Sequence, residues 1–398
     1  MLEKLMQSQN IYEMLKNTRK YIKFARNVFY RLAFSRHAHR GRRLWYTAPM
    51  RTIDTLTLPL LAWYDAHKRA FPFRDSGNPY HVWLSEIMLQ QTRTATVTSY
   101  FTRFTALFPT VEALAAAEET DVLKAWEGLG YYSRARNLLK TARLLAGKGF
   151  PTTAEELVKL PGIGPYTAAA IASIAFGQPV PAMDGNLNRV IARLFHITDN
   201  IGRPAVKRQL HDLGKSLMPE DRPGDMNQAL MDLGATICLP GTPECHRCPL
   251  QKACLAYLEG EPDTLPVMDA KKPPVQMDMA VILLQCGDQV LLRRRKETLL
   301  KGLYVFVLLE DAQSKSAIAK ALGQMGISAR EVKTLGTARH VFTHRVWNMT
   351  VRHWQTEEKT DIPGGLWASA QDIRALPLPT AMKAAREWAL QILDKGEE

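Results

Sequence analysis

Leu160-Pro161-Gly162-Ile163-Gly164-Pro165-Tyr166-Thr167-Ala168 is the stretch on which the fold of this chain turns. Pro161 stops the helical segment Ala154–Leu160, and Gly162 and Gly164 permit a hairpin before the next, Ala168–Phe176. Backbone N–H groups at the start of that second helix then face outward, which suits one nucleic-acid phosphate and carries no base information. The stretch therefore reads as a helix-hairpin-helix, although a plain glycine-rich helix connection has the same local pattern.

Outward from this hairpin, the chain from about Thr57 to Leu258 reads as helices joined by short loops, among them Leu58–Arg69, Val82–Phe108 and Val111–Ala117. Phe71-Pro72, Phe108-Pro109 and Phe150-Pro151 punctuate them as helix stops. The character changes after Cys254. Glu259–Asp278, with Gly260, Pro262, Pro266, Pro273 and Pro274, reads as a linker. Short β-like runs follow at Met279–Gln285, Gln289–Arg294, Tyr304–Leu309 and Arg345–His353, with helices at Ser316–Met325 and Thr380–Leu393. Four parts are expected: a basic extension over 1–56, a helical domain over 57–258, a linker over 259–278 and an α/β domain over 279–398.

Hydrophobic residues at 46% and charged residues at 23% give a globular composition with ample core material. A formal net charge of +13 suggests an anionic partner. Its location weakens that inference, because residues 1–50 hold 11 Lys and Arg against Glu3 and Glu13 and so carry +9 of the total. This segment, ending in His37-Ala38-His39-Arg40-Gly41-Arg42-Arg43, reads as a tail for phosphates, as an organelle address, or as residues upstream of a start at Met50. No apolar run reaches the roughly 18 residues of a membrane span. A soluble intracellular protein is expected, with no membrane partner. It would be cytoplasmic and nucleoid-associated in a bacterium, with organelle or nuclear targeting by the basic segment left open.

Four of the five cysteines fall within 17 residues as Cys238-x6-Cys245-x2-Cys248-x5-Cys254. In a reducing compartment such clustering argues for metal or cluster ligation over disulfides. Four thiolates this close suit a [4Fe-4S] cluster or a structural zinc, and spacing alone leaves both open. Cys286 lies in a β-like run and reads as buried strand filler.

The hairpin, followed by Met183-Asp184-Gly185-Asn186 and then this cysteine spacing, resembles the endonuclease III superfamily of DNA glycosylases. Within it, Trp83-Leu84-Ser85-Glu86-Ile87-Met88-Leu89-Gln90-Gln91-Thr92 and Gly128-Leu129-Gly130-Tyr131-Tyr132-Ser133-Arg134 look like the MutY-type adenine glycosylases. The likeness runs from about residue 58 to 254 and more thinly to the C-terminus. It implies a multidomain chain: an all-α helix-hairpin-helix glycosylase domain with an iron–sulfur cluster loop, plus a C-terminal α/β Nudix-like domain. It also implies a [4Fe-4S] cluster on Cys238, Cys245, Cys248 and Cys254. The implied partner is duplex DNA containing 8-oxoguanine·adenine or guanine·adenine mispairs, bound by a monomer.

Breaking an N-glycosidic bond requires help for the departing base and for the oxocarbenium-like sugar, which a pair of carboxylates supplies. The resemblance assigns Glu86 the general acid at adenine N7 and Asp184 the stabilisation of the sugar cation. Glu86 then needs a raised pKa, which its neighbours Trp83, Leu84, Ile87, Met88 and Leu89 would supply by desolvation. Asp184 must stay ionised, and polar Asn186 beside it is consistent with that. Tyr166 stands where bifunctional relatives carry a lysine whose amine attacks the sugar; it is expected near Asp184 as a hydrogen-bonding partner, in an enzyme that leaves an abasic site. The target base must leave the duplex. The resemblance makes Gln91 the wedge that fills the gap, with Thr92, Leu129 and Tyr131 around the opposing 8-oxoguanine. Asn227, Gln228 and Asp232 resemble the segment closing the adenine pocket, in a run whose Met226, Leu230 and Leu233 also read as the core face of a helix.

In the C-terminal domain, Ala312–Met325 lacks the glutamates that hold Mg²⁺ in a working Nudix hydrolase, so hydrolysis there is not expected. His340-Val341-Phe342-Thr343-His344 resembles the family's 8-oxoguanine-reading Phe-Ser-His loop, with Thr343 in place of serine. Phe71-Pro72-Phe73-Arg74 departs from the usual Leu-Pro-Trp-Arg, keeping a stacking face at Phe73 without the indole donor. Alternatives to a monofunctional adenine glycosylase are an endonuclease III-type pyrimidine glycosylase and lyase, and an iron–sulfur DNA-binding protein without catalysis. Tyr166 and the appended domain argue against the first, and Glu86, Asp184 and Tyr166 together against the second.

Overall fold

A computed structural model of the protein describes residues 53–270 and 273–394. Residues 1–50, with the basic segment and the alternative start at Met50, lie outside them. After one irregular turn, Ile53–Thr57, come α1 (Leu58–His67), α2 (Pro79–Leu89), α3 (Thr94–Leu107), α4 (Val111–Ala116), α5 (Glu119–Ala125), α6 (Ser133–Leu145) and α7 (Ala154–Leu157). They are followed by α8 (Pro165–Phe176), α9 (Gly185–Leu194), α10 (Pro204–Ser216), α11 (Pro223–Thr236) and the short α12 (Leu255–Leu258). Proline occupies the first turn of α1, α2, α8, α10 and α11, where its missing N–H costs nothing. No strand interrupts the described residues before Val275, as the lack of period-two patterning predicts. None of the described helices is long and apolar enough to cross a membrane.

These helices bury two separate cores. One gathers Trp83, Leu84 and Met88 of α2 with Phe101, Phe104, Trp126, Leu138 and Ile171. The other gathers Leu60 and Tyr64 of α1 with Leu187, Ile191, Leu210, Met226, Leu230 and Leu233. Met226, Leu230 and Leu233 thus form the core face that their spacing predicts.

The expected segment Val82–Phe108 is in fact two helices. Gln91, between α2 and α3, takes a left-handed φ of 59°. The carbonyls of Ile87, Met88 and Gln90 are captured by the guanidinium of Arg134 on α6, at 2.7, 3.0 and 2.6 Å. No glycine or proline marks this break, so it cannot be read locally.

The C-terminal part is one six-stranded sheet in the order β4-β5-β1-β3-β2-β6. Its strands are β1 (Val275–Cys286), β2 (Gln289–Arg294), β3 (Tyr304–Glu310), β4 (Arg330–Val341), β5 (Arg345–Gln355) and β6 (Gly365–Ala368). Strands β1 and β5 run parallel from Val275 beside Arg345 to Gln285 beside Gln355, and the other pairs are antiparallel. Alternate residues of β1 face two cores: Met279, Val281 and Leu283 meet α15 (Lys383–Asp394), while Ala280, Ile282 and Leu284 meet α13 (Lys315–Gln324). A further helix, α14 (Ala370–Ala375), lies on the first side. Strand β1 begins inside the stretch expected as linker. Strands β4 and β6 have no counterpart in the sequence reading, because both are sheet edges and β4 is largely exposed, without an apolar alternation to detect. Cys286 is buried in β1, as expected.

Candidate active site

A cleft of about 720 Å³ opens between the two helical cores and takes residues from both. This is within the range of roughly 300–1,000 Å³ usual for small-molecule sites. Its apolar wall includes Phe71, Phe73, Val82, Leu89, Ile174 and Met183, and its polar wall Arg69, Arg74, Glu86, Tyr166, Asp184, Asn186 and Gln228.

Glu86 is on the inner face of α2 and only 6% exposed. Burial pushes its carboxyl up to about 7, helped by the charge of Asp184 and opposed by a hydrogen bond from Tyr166 and the charge of Arg74. The carboxyl therefore holds a proton near neutrality, as its apolar sequence neighbours predict. Tyr166, in the first turn of α8, donates its hydroxyl to Glu86 Oε2 at 2.5 Å. It does not bond to Asp184, contrary to expectation, because the start of α8 faces α2. Burial keeps this phenol protonated well above its usual range.

Asp184 caps α9, accepting the Leu187 N–H at 2.7 Å and the Asn186 side-chain amide at 2.9 Å. Burial raises its proton affinity, while those bonds and the charge of Arg189 oppose the rise. Position at a helix N-terminus further favours the ionised form. Asn186 in turn accepts from Arg189 at 2.9 Å, and Arg189 also donates to the carbonyls of Gly234 and Cys238 at 2.7 and 2.8 Å. Gly234 is small by necessity: a Cβ there would stand 2.7 Å from that of Asn186.

In the hairpin, Gly162 has φ 78° and a Cβ would stand 2.6 Å from the Cβ of Asn137, so no other residue fits. Gly164 caps α8 with φ −85° and open space around it, so only one of the two glycines is demanded by geometry.

Gln91 is exposed at the mouth of the cleft, beside Thr92. Arg134 ties this turn to the next loop, donating to Thr92 Oγ1 and to the carbonyls of Leu129 and Gly130. Leu129 is 5% exposed and belongs to the core, so its side chain supports the loop from below. Tyr131 is exposed, with φ 46°, and its hydroxyl shares a hydrogen bond with Thr343. Thr343 and His344 are exposed in the turn between β4 and β5, and Phe342 beneath them packs edge-on against His340 and Trp347. The catalytic-side loop and the C-terminal loop thus meet at one place.

Two residues of α11 do not reach the cleft as expected. Asn227 is fully buried, accepting from the Ala182 N–H and donating to Ser173 and to the carbonyl of Val180. Asp232 is 1% exposed and both its oxygens are taken by Arg69 and Arg74. Gln228, one turn before Asp232 on the same helix, does line the cleft. Sequence reasoning gave no role to Arg69, Arg74 or Arg134, because their partners are 163, 158 or about 45 residues away, respectively.

Cys238, Cys245, Cys248 and Cys254 are all free and line one cavity with Arg193 and Leu250. Among the described residues no three Cys, His, Asp or Glu side chains converge on a single ion. Arg193 is 2% exposed and donates to Cys238 Sγ at 3.3 Å and to three carbonyls, with no carboxylate among these partners. A buried cation of this kind calls for an anionic neighbour, which a thiolate-bound cluster supplies.

Residues 84–216 match the family model of the HhH-GPD superfamily base excision DNA repair proteins, and residues 279–388 match the NUDIX domain. The adenine DNA glycosylase of Homo sapiens is 36% identical over 393 residues, spanning 81% of this chain and 72% of that protein. The chain belongs to the adenine DNA glycosylase family. The corresponding protein of Buchnera aphidicola subsp. Schizaphis graminum (strain Sg) is 30% identical, over 84% of this chain and 99% of its own length. Among solved structures, a thermostable thymine-DNA glycosylase is 28% identical, with a TM-score of 0.48, covering 52% of this chain and 97% of that one. Membership of the adenine glycosylase family agrees with the combination of a helix-hairpin-helix domain, the paired carboxylates and an appended Nudix-like domain.

Proposed function

We propose that the protein excises adenine from duplex DNA in which it faces 8-oxoguanine or guanine, releasing the base and leaving an abasic site. The observation that carries this reading is one cleft holding a buried carboxyl protonated near neutrality, Glu86, together with a hydrogen-bonded carboxylate at a helix N-terminus, Asp184. Adenine flipped into the cleft would meet Glu86 on its imidazole edge. As the N9–C1′ bond breaks, the Glu86 proton passes to N7 and the electron pair leaves with the base. The charge of Asp184 stabilises the cationic sugar until water adds at C1′.

Among the described residues no lysine lines the cleft, and the cations that do are Arg69 and Arg74, whose guanidinium groups do not form an imine with the sugar. This supports a monofunctional enzyme over a lyase. The turn carrying Thr343, in contact with Tyr131, is suited to read the base opposite adenine. The four cysteines would hold a [4Fe-4S] cluster, which when bound supplies the anionic partner of Arg193 and fixes the loop from Cys238 to Cys254. A folded protein in which Cys248→Ser keeps full iron and acid-labile sulfide would overturn that assignment.

The reading is tested by single-turnover release of adenine from a duplex with one 8-oxoguanine·adenine pair. Cleavage of the adenine strand should require subsequent alkali, and Glu86→Gln should slow it by about 100-fold or more. No release by cluster-loaded protein would refute the reading, and strand cleavage without alkali would indicate a lyase.

A further inference from the structure

Asp232 reaches no substrate space, yet it is the most densely paired carboxylate near the cleft. Its Oδ1 accepts from Arg69 Nε and Nη2 at 2.9 and 2.6 Å and from Arg74 Nη2 at 3.1 Å. Its Oδ2 accepts from Arg74 Nη1 at 2.6 Å and from the Arg69 backbone N–H at 3.3 Å. The Arg74 side chain is 8% exposed and that of Arg69 33%, and both line the cleft. Arg74 Nη1 also donates to the Arg69 carbonyl, so the two cations form one unit around Asp232.

Two guanidinium charges on one carboxylate leave a single net positive charge on that wall. Glu86 faces it across the cleft. The other groups facing Glu86 are Tyr166 of α8 and Asp184 at the cap of α9, and Asp75 and Asp225 line the cleft further out. Of these, Arg74 is the cation that opposes protonation of Glu86. A second unneutralised positive charge beside it would favour the carboxylate, in which form Glu86 has no proton to give.

We propose that Asp232 is a positioning residue that clamps Arg69 and Arg74 into the cleft wall and, by neutralising one of their charges, keeps the proton on Glu86. The inference deepens the excision reading by naming what maintains its acid, and it rests on Glu86 being that acid. The clamp also explains why Asp232, two turns inside α11 and on the cleft-lining side of that helix with Gln228 and Ala235, is buried beneath two arginines.

The test is a charge cycle read by infrared titration of the Glu86 carboxyl in DNA-free, cluster-loaded protein, with the band assigned by its loss in Glu86→Gln. Asp232→Asn should lower the titration midpoint by about one unit, whether introduced into the natural chain or into Arg69→Gln. Asp232→Glu, which keeps the charge, should leave the midpoint near its natural position. The Arg69→Gln background keeps the test valid if Asp232→Asn alone does not fold, since it lightens the uncompensated charge. A midpoint unmoved by Asp232→Asn in a folded protein overturns the proposal and leaves Asp232 as a packing residue. The readout requires no excision, so failure of this inference and failure of the excision reading are distinguishable.

Discussion

At Glu86 the same burial that prepares a proton donor also costs stability. The carboxyl titrates near 7 in the folded protein against 4.5 for an unburied one. As pH rises, the unfolded chain releases this proton first, so the folded state loses stability across that window and the deficit persists above it. The shift corresponds to about 3 kcal/mol. Glu86→Gln is therefore expected to melt higher than the natural protein at pH 8 and at the same temperature at pH 4, by thermal denaturation at each pH. A variant less stable than the natural protein at pH 8 would mean that Glu86 is not held against its charge. Tyr166 acts in the opposite direction, because its hydroxyl donates to the ionised form of Glu86. Tyr166→Phe should move the alkaline limb of the excision rate to higher pH. A limb moved to lower pH would contradict the bond. The apolar neighbours of Glu86 are legible in sequence. The pairing of Tyr166 with Glu86 is not, because it depends on which face of α8 meets α2.

The elements that shape the cleft are held by single residues at their ends. Gly162 makes the hairpin turn before α8, and an alanine there would combine a strained φ of 78° with a contact of 2.6 Å to Asn137. Gly162→Ala should cost about 1–3 kcal/mol in unfolding free energy and lower the affinity for any duplex, mispaired or not. Unchanged stability would show that the hairpin can shift to relieve the clash. Most helices were legible because proline and glycine mark their boundaries, and the C-terminal strands β1, β2, β3 and β5 because their apolar runs are buried. The break at Gln91 was not, since Arg134 captures the end of α2 from another helix. Edge strand β4 is missed for a different reason: none of its residues is fully buried, so no apolar alternation marks a core-facing side.

At the scale of the whole molecule, the C-terminal part is keyed into the helical part. Leu303 is fully buried in the helical core, and Arg386 pairs with Glu127 at 2.5 Å. Lys124 donates to the carbonyls of Arg374 and Leu376 at 2.7 and 3.2 Å. This docking places Thr343 against Tyr131. Thr343→Ala is expected to weaken binding of an 8-oxoguanine·adenine duplex several-fold more than that of a guanine·adenine duplex, by fluorescence anisotropy. Equal loss on both would mean that the contact serves docking and not recognition. The family was legible from motif order, whereas the contact between Tyr131 and Thr343 joins residues 212 apart and has no local signal.

The central claim is that Glu86 delivers the proton that frees the base. It is tested most directly by the pH dependence of the single-turnover rate constant for adenine release from an 8-oxoguanine·adenine duplex. The rate is expected to fall about tenfold per unit above a midpoint near 7, with that limb absent from the residual rate of Glu86→Gln. A rate that stays flat through that range, or a limb that persists unchanged in Glu86→Gln, would contradict it.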